Sequence, residues 1–322
     1  MTQLFETDYV RQLTNILSTV TQKMSNRTDI STLNSYGINF VFEQSPSPSD
    51  EVRLMVVNGK RVYPRMALTE LLWMLQGRTD VQWLRDHGVT YWDEWVQEDG
   101  TIGKAYGYQF RNFNGIDQLK QLFEGFNNNL FSRRHIISLW NVNDLPEMAL
   151  APCMFEYNVT FQLDTDDAGN TVLTHNLHAH IRSNDAFLGA PYNFIFCSWF
   201  NWFINGYFKV NHEWFKKKYG IDKVKCGNIY YTADNFHIYD NHKDAVQEYI
   251  DSFFTNTDDY VTQCYHTVEC TLDMTMSTVN VPMSLDAYLC YILEMYESRQ
   301  IKVKKHFDGS YTPPVIKAPI AV

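Results

Sequence analysis

The fold of this 322-residue chain is decided by two stretches, Phe155-Glu156-Tyr157-Asn158-Val159-Thr160-Phe161-Gln162-Leu163 and Leu173 to Ile181. Apolar and polar residues alternate in both, which is the pattern of a half-buried β-strand. The segment between them contains Gly169-Asn170 and predicts the turn of a β-hairpin. Residues just outside the two strands then lie about 5 Å apart at the backbone. The hairpin is therefore expected to bring Cys153 and Arg182 together.

Cys153 ends the segment Met148-Ala149-Leu150-Ala151-Pro152-Cys153. Proline removes a backbone donor and favours extended geometry in its neighbour, so we expect the thiol at the rim of a strand. A cysteine is a nucleophile as its thiolate, which a nearby guanidinium stabilises. The alternative is a buried cysteine that acts as a small apolar side chain. A second motif favours a catalytic cysteine over a structural one, because it adds a cation and polar side chains. This motif is Arg182-Ser183-Asn184-Asp185-Ala186-Phe187-Leu188-Gly189-Ala190-Pro191-Tyr192-Asn193.

Apolar spacing predicts four helices and two further strands. The helices are Thr7 to Met24, Leu68 to Leu75, Tyr192 to Val210 and a late helix with apolar positions Leu285, Tyr288, Leu289, Ile292 and Leu293. The strands are Thr32 to Glu43, with Tyr36, Ile38, Phe40 and Phe42 on one face, and Asn228 to Tyr231. Repeats and linker-like segments are absent from the sequence, so we expect a single domain over residues 1–322 of the α+β class.

Composition excludes several classes of protein. Hydrophobic residues make up 45% of the chain, which is ample for a core. The net charge of -10 argues against strong nucleic-acid binding, which requires clustered Lys and Arg. No run approaches the roughly 18 apolar residues of a membrane span; the stretch from Phe194 to Phe208 is expected to be a buried helix.

The six cysteines indicate reduced thiols in a reducing compartment, because they form no C-x-x-C pair and no signal peptide precedes them. We therefore expect a cytoplasmic protein. Cys264, His266 and Cys270 are the one cluster with a hint of metal spacing, but zinc normally takes four ligands at tighter spacings. No metal site is predicted.

Several polar residues allow two interpretations. Glu70 lies in an apolar helix, where it is either functional or a glutamate that faces solvent. Adjacent arginines such as Arg133-Arg134 are usually a solvated face, yet guanidinium groups also suit phosphate. The Asn193 amide could offer both a donor and an acceptor to a ligand, or it could cap a helix. His237 and Tyr239, two apart on a probable strand, point the same way.

The chain resembles the thymidylate synthase family. The two motifs around Cys153 and Arg182 carry this resemblance together with blocks in the family's order. These blocks are Asn26-Arg27-Thr28, Glu70-Leu71-Leu72-Trp73-Met74-Leu75-Gln76-Gly77, Tyr91-Trp92-Asp93-Glu94-Trp95, Ala105-Tyr106-Gly107, Ser132-Arg133-Arg134, His237-Ile238-Tyr239-Asp240-Asn241-His242 and Ile316-Lys317-Ala318-Pro319-Ile320-Ala321-Val322.

The resemblance implies a fold, two ligands and a dimer. The fold would be a mixed β-sheet packed by helices, and the homodimer would form through the sheet, with Arg133 and Arg134 donated across the interface. The residues expected to bind dUMP are Arg27, Arg133, Arg134, Arg182, Ser183, Asp185, Asn193, His237 and Tyr239. Those expected to bind the folate co-substrate, 5,10-methylenetetrahydrofolate, are Lys60, Tyr91, Trp92, Trp95, Asp185, Leu188, Gly189, Tyr192 and the terminal Val322.

The implied reaction converts dUMP to dTMP and leaves dihydrofolate. Cys153 would add to C6 of the base, with Arg182 favouring the thiolate. Glu70 would handle protons at O4, and Tyr106 would help to remove the proton from C5 through water. Asp185 and Asn193 complete the catalytic set. Asp185 would accept a hydrogen bond from a ring N–H, and the Asn193 amide would recognise O4 and N3 of uracil.

Two positions depart from the family pattern. Met154 follows the nucleophile where His is frequent, and Ile181 precedes the arginine where Gln is frequent. The competing enzyme is a pyrimidine-nucleotide hydroxymethylase on the same scaffold, in which water captures the one-carbon unit. Leu150, Trp92 and the intact closing segment Ala318-Pro319-Ile320-Ala321-Val322 favour a dry site and hydride transfer over that reaction. A further alternative is a nucleotide-binding or RNA-binding protein without catalysis, which the acidic charge disfavours.

Overall fold

The computed structural model describes residues 2–19, 29–44, 52–57, 60, 62–255, 264–272 and 280–307. The helices are α1 (Thr2–Leu17), α2 (Pro64–Leu75), α3 (Val81–Asp86), α4 (Gly107–Asn112), α5 (Gln118–Asn128), α6 (Gly189–Val210), α7 (His212–Tyr219), α8 (Lys243–Thr255) and α9 (Leu285–Glu297). The strands are β1 (Thr32–Phe42), β2 (Arg53–Leu54), β3 (Ile136–Ser138), β4 (Met154–Thr165), β5 (Thr171–Ile181), β6 (Asn184–Asp185), β7 (Lys223–Tyr239), β8 (Cys264–Glu269) and β9 (Lys302–Phe307).

The larger sheet is mixed, as the resemblance implied. Its strand order is β1-β7-β5-β4-β3, with β6 paired to β7. β5 and β6 run parallel to β7, whereas the β1–β7, β4–β5 and β3–β4 pairs are antiparallel. A smaller antiparallel sheet has the order β2-β8-β9. The predicted α+β class is therefore confirmed.

The core forms between the larger sheet and α6. Almost every residue of this helix is buried, and its rings pack on the inner face of the sheet, for example Phe194 on Tyr231 and Phe200 on Tyr157. The prediction of a buried helix from Phe194 to Phe208 is confirmed. No helix in the described ranges is long and apolar enough to cross a membrane. α6 thus supports the strands that carry the candidate site.

The predicted hairpin is confirmed as β4 and β5. Met154 pairs with Ile181 at its open end, and Gly169 takes a positive φ of 83° in the turn. Asp166 stabilises this turn, because its carboxylate accepts the Asn170 backbone N–H at 2.9 Å. The late helix is also confirmed as α9.

Other boundaries differ from prediction. The first helix ends at Leu17 rather than Met24, because the hydroxyls of Ser18 and Thr19 donate to carbonyls of its last turn; residues 20–24 lie outside the described ranges. The strand predicted over Asn228 to Tyr231 extends from Lys223 to Tyr239.

The face assignment of Tyr36 was wrong. Ile38, Phe40 and Phe42 are buried as predicted, but the Tyr36 side chain is 58% exposed. Gly37 lies between Tyr36 and the buried residues at φ 66°, a conformation that glycine adopts without a steric penalty. This local change of backbone direction interrupts the alternation of the strand.

Candidate active site

The open end of the β4–β5 hairpin holds the predicted nucleophile and its cation. Arg182 Nη2 lies 4.0 Å from Cys153 Sγ, and the Arg182 backbone N–H donates to the Cys153 carbonyl at 2.9 Å. The guanidinium is fixed by the carbonyls of Pro152, at 2.9 Å from Nε, and of Ala151, at 3.0 Å from Nη2. It also lies over the Trp140 ring. The half-buried thiol therefore faces a cation that is held from several sides.

Tyr106 lies directly beside this pair. Its hydroxyl oxygen accepts the Cys153 backbone N–H at 3.0 Å. Its own backbone has a φ of 27° where α4 begins, a conformation that is uncommon for a tyrosine. Burial and the neighbouring Cys153 raise the pKa of the Tyr106 phenol. The phenol is consequently protonated at neutral pH.

Glu70 is not the solvent-facing glutamate of the alternative interpretation. The Trp92 indole donates to Oε1 at 2.7 Å, and the Tyr91 hydroxyl donates to Oε2 at 3.0 Å. Burial raises the pKa of the Glu70 carboxyl to about 7, although both hydrogen bonds act to lower it. A carboxyl group with this pKa can both give and take a proton near neutral pH.

Aromatic rings connect Glu70 with Tyr106. Trp92 packs edge-on against Tyr106 and against Trp95, with ring centroids 5.5 Å apart in each pair. Tyr91 packs against Tyr192, the fourth residue of α6, at 6.0 Å. The rings predicted to bind folate therefore form two pairs, Tyr91 with Tyr192 and Trp92 with Trp95, which Glu70 joins through its bonds to Tyr91 and Trp92.

Asp185 shapes the entrance to α6. Its Oδ1 accepts the backbone N–H groups of Phe187 at 2.9 Å and Leu188 at 3.1 Å. Lys60 Nζ lies 3.0 Å from the centre of the Phe187 ring. Burial lowers the pKa of Lys60 to about 7, and the charge of Asp185 opposes this shift. Gly189 begins the helix directly after Leu188.

The interpretation of Asn193 as a helix cap was wrong. α6 begins at Gly189 with Leu188 as its cap, so Asn193 already lies in the second turn. The helix starts earlier than Tyr192 because Asp185 holds the preceding N–H groups, and Pro191 is tolerated in a first turn. The half-buried Asn193 side chain interacts with the Tyr231 hydroxyl.

His237 and Tyr239 do lie together on one strand. Their rings meet edge to face at 5.1 Å near the end of β7. His237 Nδ1 lies 2.8 Å from Asn235 Oδ1, and burial lowers the pKa of the His237 ring. The register of β6 pairs His237 with Asp185, which brings this end of β7 close to the entrance of α6.

The remaining predicted phosphate ligands are dispersed. Ser183 is half-buried between β5 and β6, directly after Arg182. Arg133 and Arg134 are exposed in the turn between α5 and β3, and no hydrogen bond or ion pair of the described residues joins them to Cys153. Arg27 and Val322 lie outside the described residues. The structure therefore unites the reacting groups but not all the predicted arginines.

Two buried polar residues of the site were missed. The Tyr231 hydroxyl donates to Asn184 Oδ1 at 2.7 Å. Asn184 is part of the quoted Arg182 motif and Tyr231 ends a predicted strand, but their pairing across β6 and β7 leaves no local signal in sequence. No group of metal-binding side chains occurs among the described residues, and the side chains of Cys264 and His266 are not among them.

The comparisons with known proteins agree with this geometry. The sequence model of the thymidylate synthase family matches residues 7–256. The thymidylate synthase of Corynebacterium aurimucosum is 31% identical over 253 residues, which cover 77% of this chain and 83% of that protein.

Proposed function

The chain belongs to the thymidylate synthase family, whose members are methyltransferases, and we propose that it is a dUMP methylase. It transfers the one-carbon unit of 5,10-methylenetetrahydrofolate to C5 of dUMP and yields dTMP and dihydrofolate. The observation that carries the proposal is the thiol of Cys153, held 4.0 Å from the Arg182 guanidinium. Tyr106 contacts Cys153, and Trp92 joins Tyr106 to Glu70.

The reaction begins at the Cys153 thiolate, which attacks C6 of the uracil ring. Arg182 favours the thiolate electrostatically and has further N–H groups for the phosphate. Addition at C6 moves electron density to C5 and O4. The Glu70 carboxyl, with a pKa of about 7, then shares a proton with O4 directly or through water.

Tyr106 acts at the proton of C5. Because its pKa is raised, the phenol is not itself an anionic base at neutral pH. Its hydroxyl already accepts the Cys153 N–H and still has a hydrogen to donate. It can therefore orient a water molecule that receives the proton from C5.

The aromatic group suits the folate co-substrate, which supplies both the carbon and the hydride. Flat rings of Tyr91, Trp92, Trp95 and Tyr192 offer stacking surface close to the thiol. Leu188 and Gly189 add the wall at the start of α6, where the Asp185 carboxylate can accept a ring N–H. We assign the folate tail to Lys60, whose ammonium interacts with the charge of Asp185, and closure of the pocket to Val322.

The nucleotide lies on the other side of the thiol. Asn193 reads the base, while His237 and Tyr239 bind the ribose 3'-hydroxyl. Arg182, Ser183 and Arg27 bind the phosphate together with Arg133 and Arg134 of the second protomer.

The single domain dimerises through the outer face of the larger sheet. This face carries half-buried polar side chains at Asn158, His178 and Tyr230, which adjoin one another across β4, β5 and β7. His178 stacks on Tyr230 at 4.7 Å, and Asn158 Oδ1 is buried without a partner in the single chain. A second copy of the face supplies donors and covers these groups.

Hydride transfer, rather than capture of water, is favoured by the residues next to the nucleophile. Met154 and Ile181 pair with each other across the hairpin, and both are buried. Polar residues are frequent at both positions in the family. The apolar side chains of Met154 and Ile181 cannot hydrogen-bond water near the base.

The test is incubation with dUMP and 5,10-methylenetetrahydrofolate, followed by mass analysis of the nucleotide and absorbance of the folate. We expect dTMP and dihydrofolate in equal amounts, and neither product with Cys153→Ser. Formation of 5-hydroxymethyl-dUMP with tetrahydrofolate returned would contradict the proposal and support a hydroxymethylase. Absence of any turnover by the wild type, with binding intact, would support a binding protein instead.

A further inference from the structure

The indole of Trp140 lies against the guanidinium group of Arg182. Arg182 Cζ is 5.2 Å from the centre of the Trp140 ring, which is within the range of a cation–π contact. Trp140 comes two residues after the end of β3. The backbone N–H of Leu139 donates to the Phe155 carbonyl at 2.8 Å, so this segment still runs beside the start of β4. The contact therefore reaches Arg182 from a different segment than the one that carries the thiol.

The hydrogen bonds of the Arg182 side chain are open to competition from water. Nε donates to the Pro152 carbonyl at 2.9 Å, and Nη2 donates to the Ala151 carbonyl at 3.0 Å. Both Arg182 and Ala151 are half-buried, so water can reach these groups. An aromatic ring attracts a cation through its negative face, and water does not replace that contact. Trp140 therefore restrains the guanidinium where hydrogen bonds alone leave it free to exchange partners.

The position of the guanidinium decides how far the Cys153 thiol ionises. Arg182 Nη2 lies 4.0 Å from Sγ, and the stabilisation of a thiolate by a cation falls as the distance grows. The phenols of Tyr106 and Tyr231 also interact electrostatically with Cys153. Burial raises the pKa of both phenols, so neither carries a charge at neutral pH. A guanidinium that moved away from Sγ would therefore leave the thiol less ionised.

From this geometry we propose that Trp140 is a positioning residue, whose ring holds the Arg182 guanidinium against the Cys153 thiol and so keeps the nucleophile ionised. The proposal rests on the proposed function for the role of the thiol. Because Trp140 acts through Arg182, its removal changes the ionisation of the thiol even when no substrate is bound. The ionisation of Cys153 can therefore be measured separately from the methylation of dUMP.

The measurement is the rate at which iodoacetamide alkylates Cys153 in the full-length protein, from about pH 5 to about pH 10, because the thiolate is the reacting form. Mass analysis of the peptides separates Cys153 from the exposed Cys290 on α9, which is the reference in each sample. In Trp140→Leu, we expect the midpoint of the Cys153 profile to rise by about half to one pH unit. The rate at pH 7 then falls by about threefold to tenfold.

The plateau of the profile distinguishes positioning from a general loss of packing. At alkaline pH the thiol is fully ionised, so the plateau rate in Trp140→Leu should equal that of the wild type. Altered access to the thiol would change the plateau as well. Trp140→Met, which is long and apolar but not aromatic, should behave as Trp140→Leu does. Trp140→Phe keeps an aromatic face and should restore most of the shift in the midpoint.

The matched control is Trp214→Leu. It removes another half-buried indole that lies under a cation, with Lys218 Nζ 4.7 Å from the ring centre. This contact is on α7, which pairs through Lys216 with Asp222 at the turn end of the β4–β5 hairpin. Cys153 lies at the open end of that hairpin, so its profile should not change in this variant. The melting temperature of each variant shows that the protein is folded during the assay.

The double variant of Arg182→Gln with Trp140→Leu tests whether the ring acts through the guanidinium. Once Arg182→Gln has removed the cation, loss of the ring should shift the midpoint no further. An unchanged midpoint in Trp140→Leu, or an equal shift with and without Arg182, would overturn the positioning role while the proposed function stands. If the profiles shift as expected but the wild type forms no dTMP, the positioning role holds and the proposed function is wrong.

Discussion

Two carboxylates that accept hydrogen bonds from neighbouring side chains have pKa shifts in opposite directions. Glu70 accepts hydrogen bonds from Trp92 and Tyr91, and burial raises its pKa to about 7. Asp144 also accepts from side-chain amides, at 2.9 Å from Gln109, but hydrogen bonds from Gln109 and Lys104 lower its pKa. Lys104 contributes a positive charge, with Nζ 3.2 Å from Asp144 Oδ1. Glu70 has no cation among the causes of its shift.

The difference separates a reacting carboxylate from a scaffold carboxylate. Neutral donors hold the Glu70 group in place yet leave its ionisation costly, so its proton stays available near neutral pH. A cation and amides stabilise the Asp144 charge, and this residue fixes the segment that leads to the nucleophile. Burial with neutral donors alone at Glu70, against a cation and amides at Asp144, therefore distinguishes the two roles.

The largest effect is expected at the Cys153 thiol, because the reaction in which Glu70 acts depends on it. Cys153→Ser should reduce turnover by about 1,000-fold or more, because an alcohol is far less ionised than a thiol. Affinity for dUMP, measured by calorimetry, should change little. Near-normal turnover in this variant would remove the covalent mechanism and with it the role assigned to Glu70.

The next effect compares the carboxylates directly. Glu70→Gln keeps the size of the side chain but removes its proton chemistry, so turnover should fall by roughly 100-fold to 10,000-fold. Asp144→Asn makes the same chemical change in the scaffold and is the matched control. Its turnover per folded molecule should fall far less. Equal losses in both variants would show that the two carboxylates do not differ in role.

The free energy of unfolding should rank the two variants in the reverse order, with the larger loss in Asp144→Asn. Asp144→Asn should lower the free energy of unfolding at pH 7 by about 1–3 kcal/mol, because it weakens a buried hydrogen-bond network. Since the folded pKa of Asp144 is depressed, its contribution is present at neutral pH and is lost as pH falls below about 4. Chemical denaturation of the wild type and Asp144→Asn at pH 7 and at pH 3 measures how far their free energies of unfolding differ. An equal difference at both pH values would contradict a depressed pKa at Asp144.

The remaining effect is on the pH dependence of stability at Glu70. Its folded pKa is raised from 4.5 to about 7, so the wild type should lose stability relative to Glu70→Gln as pH rises through this window. Denaturation at pH 5 and at pH 8 should reveal a difference on the order of a few kcal/mol. A constant difference would mean that Glu70 ionises normally in the folded protein.

A contact could be predicted from the sequence when its two residues belong to one local element such as a hairpin. The meeting of Cys153 and Arg182 could be predicted because a hairpin has one register that buries its apolar face. The donors of Glu70 could not be assigned, because Tyr91 and Trp92 belong to a distant segment and aromatic residues are usually core. The hydrogen bond between Tyr231 and Asn184 could not be predicted from the sequence either, because the two residues lie on strands that are distant in the chain.

Local conformation limited the prediction in other places. Tyr36 was assigned to the buried face because alternation assumes uniform strand geometry, and the positive φ of Gly37 breaks that assumption. Likewise, α6 begins before the predicted start because a side chain, Asp185, accepts the N–H groups of the preceding residues. Such capping contacts are specific to the folded backbone.

The proposed reaction depends on attack of the Cys153 thiol on C6 of dUMP. Its most direct test is the intact mass of the denatured protein after incubation with 5-fluoro-dUMP and 5,10-methylenetetrahydrofolate, because fluorine blocks loss of the proton from C5 and traps the adduct. We expect one nucleotide and one folate bound covalently per chain in the wild type, located at Cys153 by peptide mapping, and no modification of Cys153→Ser. An unmodified wild type that still produces dTMP, or an adduct on another cysteine, would contradict it.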